Sequence, residues 1–208
     1  MISQLEQVYL RLQDYLLELE IRYIEPILSK PIPDKGDELD LRSYCVLSHA
    51  AFEEFAETVA TYALEQIVTR FVSNQEICLG LCTILHFSSI KVESTDNVNI
   101  VYDYIMNALK DIKSTMSTEI RKNNHGTSMK YLKKMLVPLG VSIPNDTTLL
   151  GSLEQLAGQR GAFAHNFSSL RITNVPSPLD LTTYVTDVNV LMKKLYEQVE
   201  GAKFFKYK

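Results

Sequence analysis

A chain of 208 residues buries about 70% of the surface its unfolded form exposes, so it can fold without a metal or a disulfide framework. Eight glycines and seven prolines are too few to supply a turn roughly every 8–12 residues, which excludes a β-sandwich or barrel. The formal charge of −4 excludes a uniformly basic nucleic-acid binder.

Cys45, Cys78 and Cys82 make an odd count and sit among apolar residues, so they read as reduced core thiols. The first residues, Met-Ile-Ser-Gln-Leu-Glu-Gln, lack the basic and then apolar regions of a signal peptide. No run approaches the ~18 apolar residues of a membrane span. The expected location is the cytoplasm.

Leu5, Val8, Leu12, Tyr15 and Leu19 recur at three- and four-residue steps, which predicts a helix over about residues 3–29. Pro31, Pro33 and Gly36 break it. A long second helix is expected from about Leu41 to Phe71, free of Gly and Pro. The next segment, about Asn74 to Ser89, is apolar nearly all round and reads as a buried helix. A helix over Ile100 to Arg121 follows, stopped by Asn123-Asn124-His125-Gly126. Thr127 is the expected N-cap of a short helix over Ser128–Leu139, closed by Gly140. Two further helices begin near Leu149 and span about Leu179 to Glu200. The fold class is all-α, a bundle of about six to seven helices. Residues 1–39 form an N-terminal helix and proline-containing linker packed on a helical domain of residues 40–208.

Several residue groups could carry chemistry. Cys78, Cys82 and His86 recur at four-residue steps and include zinc-ligand types. Their neighbours Ile77, Leu79, Leu81, Ile84 and Leu85 favour a buried helix with soft residues instead. His49 and Glu53 share a helix face, with Glu54 alongside. Residues 1–70 hold thirteen acids against six bases, whereas residues 110–134 hold seven bases against two acids. Within that basic segment Arg121, Lys122, Lys130, Lys133 and Lys134 are candidate RNA-backbone contacts; a solvated helix face is the alternative.

Arg160 stands five residues before His165, separated by small or apolar residues. Arginine is permanently charged and grips phosphate through two bonds. Histidine exchanges protons near neutral pH. The pair is sufficient for RNA cleavage without a metal, with the 2′-hydroxyl attacking the adjacent phosphate. Five residues on an ideal helix rotate about 140° and rise about 7.5 Å. The side chains therefore diverge unless the helix ends or bends at Gly161, or a two-fold dimer combines two such pairs.

Three stretches together resemble the HEPN superfamily, and within it the RiboL-PSP branch. They are the helix Arg42-Ser-Tyr-Cys-Val-Leu-Ser-His-Ala-Ala-Phe-Glu-Glu-Phe, the segment Asn124-His-Gly with Leu132 and Leu136-Val-Pro-Leu-Gly-Val, and Arg160-Gly-Ala-Phe-Ala-His165. The resemblance covers roughly residues 40–200. It implies a metal-independent endoribonuclease without a cofactor, active as a homodimer on single-stranded RNA or tRNA. Toxin–antitoxin, abortive-infection or other antiviral defence systems are the implied setting, with an antitoxin or defence protein as partner. Arg160 would stabilise the phosphate and His165 would act in proton transfer. Glu53 or Glu54 would orient Arg160, and Asn166 would add a polar contact. Active members often place a polar residue directly after the arginine; this chain has Gly161. That departure leaves open a non-catalytic interaction or regulatory module that dimerises and binds a protein or nucleotide.

Overall fold

The side chain of Ser3 accepts a hydrogen bond from the Glu6 amide at 3.0 Å and starts helix α1, Gln4–Tyr23. The computed structural model describes residues 3–31, 34–90, 97–122, 126–165 and 175–201, without the side chains of Lys35, Ala164 and His165. Pro26 cannot donate to the helical ladder, so the first helix breaks at Ile24 and resumes as a single turn, α2, Glu25–Leu28.

The central element is α3, Lys35–Asn74, 40 residues and about 60 Å long. It begins six residues before the position predicted from apolar periodicity. The reason is local: Asp34 and Asp37 form a reciprocal capping box, which satisfies amides of the first turn. Tyr44, Cys45, Phe52, Phe55, Val59, Ala63, Leu64 and Ile67 are all buried, because α3 packs against α1, α5, α7 and α8. Gln75, in the left-handed region at φ 57°, ends it.

Helix α4 spans Leu79–Phe87, α5 Val98–Lys122 and α6 Met129–Leu136. A 3-10 turn, Val137–Leu139, then leads to Gly140 at φ 77°. Helix α7 spans Thr147–His165 and α8 Pro178–Glu200. The last is introduced by the Ser177–Asp180 capping box with Pro178 at its first position. Among the described residues the chain is all-α, with seven principal helices and no strand.

Helices α3 and α8 each pack on both α1 and α7, which places α1 and α7 across the bundle from one another. Gln13 on α1 and Asn189 on α8 exchange side-chain hydrogen bonds at 2.7 and 2.9 Å. Ser3 donates to Glu200 at 2.8 Å. No helix among the described residues is long and apolar enough to cross a membrane.

The third predicted helix needs correction. It is shorter than expected and only one side is buried: Ile77, Leu79, His86 and Phe87 are exposed. Cys78 is the residue preceding α4, not part of it, so the three soft side chains do not form one helical column. Among the described residues no group of three His, Cys, Asp or Glu could hold a metal ion. What fixes α4 is Gly80, where an added Cβ would stand 2.4 Å from Ile67 Cδ1 and 2.8 Å from the Leu139 carbonyl. Gly80→Ala is therefore expected to cost about 1–3 kcal/mol through overpacking. Gly158→Ala, with nothing within 4 Å of the new Cβ, is expected to gain about 0.5–1 kcal/mol from helix propensity. Thermal unfolding of the two variants in parallel checks the contrast, and equal midpoints would contradict it.

Candidate active site around Arg160

One long face of α3 meets α7. The Arg42 guanidinium lies 5.4 Å from the centre of the Phe163 ring and is ion-paired with Glu38. One turn on, the Cys45 thiol points at the Leu156 carbonyl at 3.9 Å. The next turn brings His49, 2% exposed, into the electrostatic range of Arg160.

His49 is tied to the segment that precedes α6. Its Nε2 lies 3.0 Å from Thr127 Oγ1 and accepts a longer bond, 3.4 Å, from the Thr127 amide. A backbone amide can only donate, so Nε2 carries the lone pair and the ring proton sits on Nδ1. Nδ1 faces Glu53 Oε2 across 4.0 Å, beyond hydrogen-bond reach, and has no hydrogen-bond partner. Glu53 instead uses Oε1 to accept the Gly126 amide at 2.5 Å. Gly126 has φ 115°, a conformation that favours glycine. The Met129 amide then donates to Glu154 of α7 at 2.7 Å. Residues 126–129 thus link α3, α6 and α7 beside Arg160. Thr127, expected to cap α6, is turned into the core toward His49, and Ser128 occupies the N-cap position.

Two effects compete on the His49 proton. Glu53 would favour the charged ring, but burial, reinforced by repulsion from Arg160, lowers its pKa from 6.5 to about 4. Because the folded value lies below the unfolded one, the unfolded chain binds more protons between those values. Stability is therefore full above about pH 6.5, and His49 removes up to about 3 kcal/mol as pH falls toward 4. Urea unfolding at pH 7.5 and pH 4.5 should show a steeper loss in the native chain than in His49→Gln. Parallel slopes would rule out His49 as the cause.

The other predicted residues are distributed unevenly. Arg160 is half-buried on α7, and His165 is the last residue of the same helix. Helix α7 continues unbroken through Gly161, so the glycine does not end it. The two positions differ by about 140° around the axis and about 7.5 Å along it. Asn166 lies outside the described residues. Of the two acids expected to orient Arg160, Glu53 faces the Gly126 loop, whereas Glu54 lines a groove on the α1 side of α3. That groove also contains Glu57, Glu65 and Arg121. Arg121 is thus separated from the α6 lysines. Lys130, Lys133 and Lys134 are exposed on α6, opposite its buried Leu132, Met135 and Leu136. Lys134 pairs with Glu119 at 2.7 Å, Lys130 lies 5.9 Å from the Tyr131 ring centre, and Lys122 is exposed at the end of α5.

An all-helical bundle with an R-x4-H pair on its penultimate helix has the form of a HEPN-type domain. The RiboL-PSP-HEPN family model matches residues 11–201, and the chain belongs to that family. The match starts inside α1. No curated protein and no solved structure matches the chain.

Proposed function

We propose that this HEPN protein is a metal-independent endoribonuclease that works as a homodimer on single-stranded RNA or tRNA. Its setting is a toxin–antitoxin, abortive-infection or other antiviral defence system with a cognate partner protein. The observation that carries this reading is that Arg160 and His165 lie on one uninterrupted helix of a HEPN chain. The 2′-hydroxyl loses its proton and its oxygen attacks the adjacent phosphorus. The bond to the 5′-oxygen breaks, and that oxygen takes up a proton. His165 serves proton transfer, and Arg160 stabilises charge building on the phosphoryl oxygens. The products are a 2′,3′-cyclic phosphate and a 5′-hydroxyl. The outward lysines of α6 supply backbone attraction that weakens with salt.

The divergence of the two positions along α7 favours a site shared between protomers, with arginine and histidine drawn from different copies. The assay is cleavage of single-stranded RNA in EDTA, with the product ends identified. Cyclic ends generated without a metal support the reading, and an inert protein removes it.

A second reading, a non-catalytic interaction or regulatory module, is favoured by Gly161, which puts no polar group after Arg160. Nothing lies within 4 Å of a Cβ built there, so Gly161→Asn tests the point without steric cost. Cleavage gained only by that variant would support the second reading.

A further inference from the structure

The groove beside α1 and α3 has two joined parts. The first, about 490 Å³, is lined by Glu54, Glu57, Tyr62, Glu65 and Arg121 among others. The second, about 400 Å³, is walled mainly by Val8, Leu12, Tyr15, Leu47, Ala51 and Phe55. Val8, Glu54 and Thr58 border both, and each part has the ~300–1,000 Å³ of a binding cleft. Along its length the groove therefore changes from three carboxylates against one guanidinium to an apolar wall. Its acidic end meets the end of α8. Tyr62, which lines that end, hydrogen-bonds Glu200, and Glu200 also accepts the Ser3 hydroxyl at 2.8 Å. At Gly201 the backbone becomes extended, φ −64° and ψ 133°, so the chain leaves α8 at this mouth.

We infer that residues 202–208, Ala-Lys-Phe-Phe-Lys-Tyr-Lys, dock in this groove of their own chain. The place where the chain leaves α8, its reach and its chemistry select the same occupant. At about 3.3–3.6 Å per extended residue, Phe204 and Phe205 reach about 13–18 Å beyond Glu200. Along α3, at about 1.5 Å per residue, Phe55 and Ala51 lie about 10 and 16 Å from Tyr62. The two rings thus arrive at the apolar wall. Lys203 reaches about 10 Å, between Glu57 and Glu54, which lie about 7 and 12 Å from Tyr62 along the helix. The segment brings three lysines and no acidic side chain to a stretch where carboxylates are in excess. Burial of the rings supplies attraction, and the lysines fix the register. Because α1 lies across the bundle from α7, the docked segment leaves the Arg160 helix open and does not depend on the ribonuclease reading.

The chain has no tryptophan, so Phe205→Trp in the full chain adds a single indole that reports on the segment. Its emission should be blue-shifted and weakly quenched by acrylamide, equally at every protein concentration. Glu54→Lys with Glu57→Lys should weaken docking about tenfold, since two attractions become repulsions, and the emission should move to that of an exposed indole. Lys203→Glu with Lys206→Glu, which leaves the bundle untouched, should release the segment as well. Both pairs of changes combined should restore the blue shift. Trypsin should also cut after Lys203 and Lys206 about tenfold more slowly in the native chain than in Glu54→Lys with Glu57→Lys. An indole exposed in the otherwise native chain would overturn the proposal; if it then became buried only on adding anionic vesicles or RNA, the segment would belong to that surface. Burial that both charge reversals leave unchanged would overturn it too, by placing the indole elsewhere. So would burial that grows with concentration, which seats the segment on a second copy.

Discussion

His165→Ala is expected to reduce cleavage of single-stranded RNA in EDTA by about a hundred- to ten-thousandfold, the usual contribution of a positioned proton-transfer group. Arg160→Ala should lose a comparable factor by removing the cation opposite the phosphoryl oxygens. The two inactive proteins carry a sharper expectation when mixed. If each site takes its arginine from one chain and its histidine from the other, a mixed dimer contains one complete site and one empty one. With random exchange, half the dimers are mixed, so the mixture should recover about a quarter of native activity. The measurement is the initial cleavage rate after co-refolding, with helicity checked by circular dichroism. A mixture as silent as its components would show that the pair does not work across protomers. Native rates in His165→Ala would remove His165 from the reaction altogether.

Phe52→Ala is expected to be among the most damaging single changes to stability. The ring is fully buried at the middle of α3, the helix that touches α1, α5, α7 and α8. Truncation removes the apolar surface and leaves a cavity that this crowded helix cannot close, at a cost of about 3–5 kcal/mol. Against a typical stability of about 5–15 kcal/mol, that is a large share. The urea midpoint should fall strongly while the slope stays near its native value. A shift below about 1 kcal/mol would mean that neighbouring side chains collapse into the space.

The all-α class and most helix positions were readable because apolar residues recur at the helical period and the loops are marked by Pro, Gly and capping residues. Gly140, expected to close the short helix, does so in the left-handed region at φ 77°. The start of α3 was misjudged because Asp34 and Asp37 lengthen it through polar capping, which hydrophobic periodicity does not register. The segment around Leu79 was misjudged for the opposite reason. Its composition is that of a core helix, but Gly80 sets only one side against Ile67 and Gly140. At the candidate site, Arg160 and His165 were visible as a motif, and His49 with Glu53 as a helix-face pair. Their partners Gly126 and Thr127 were not visible as such. The Glu53–Gly126 bond spans 73 positions in the chain, and spacing within one helix contains no information about a loop that returns from so far away. The charge segregation was also read correctly along the chain but not in space, since Arg121 sits among the acids of the α1–α3 groove.

The order of the helices also governs when this protein can become itself. His49 of α3, which faces the charge of Arg160, belongs to the first half of the chain, yet α3 is fully covered only when α7 and α8 arrive, and Ser3 waits for Glu200, 197 positions later. Contacts of such sequence separation form late and slow folding. During synthesis, a chain emerging at about 5–20 residues per second leaves the core face of α3 without its C-terminal cover for several seconds. The surroundings of Arg160 are thus completed only when nearly the whole polypeptide has been made.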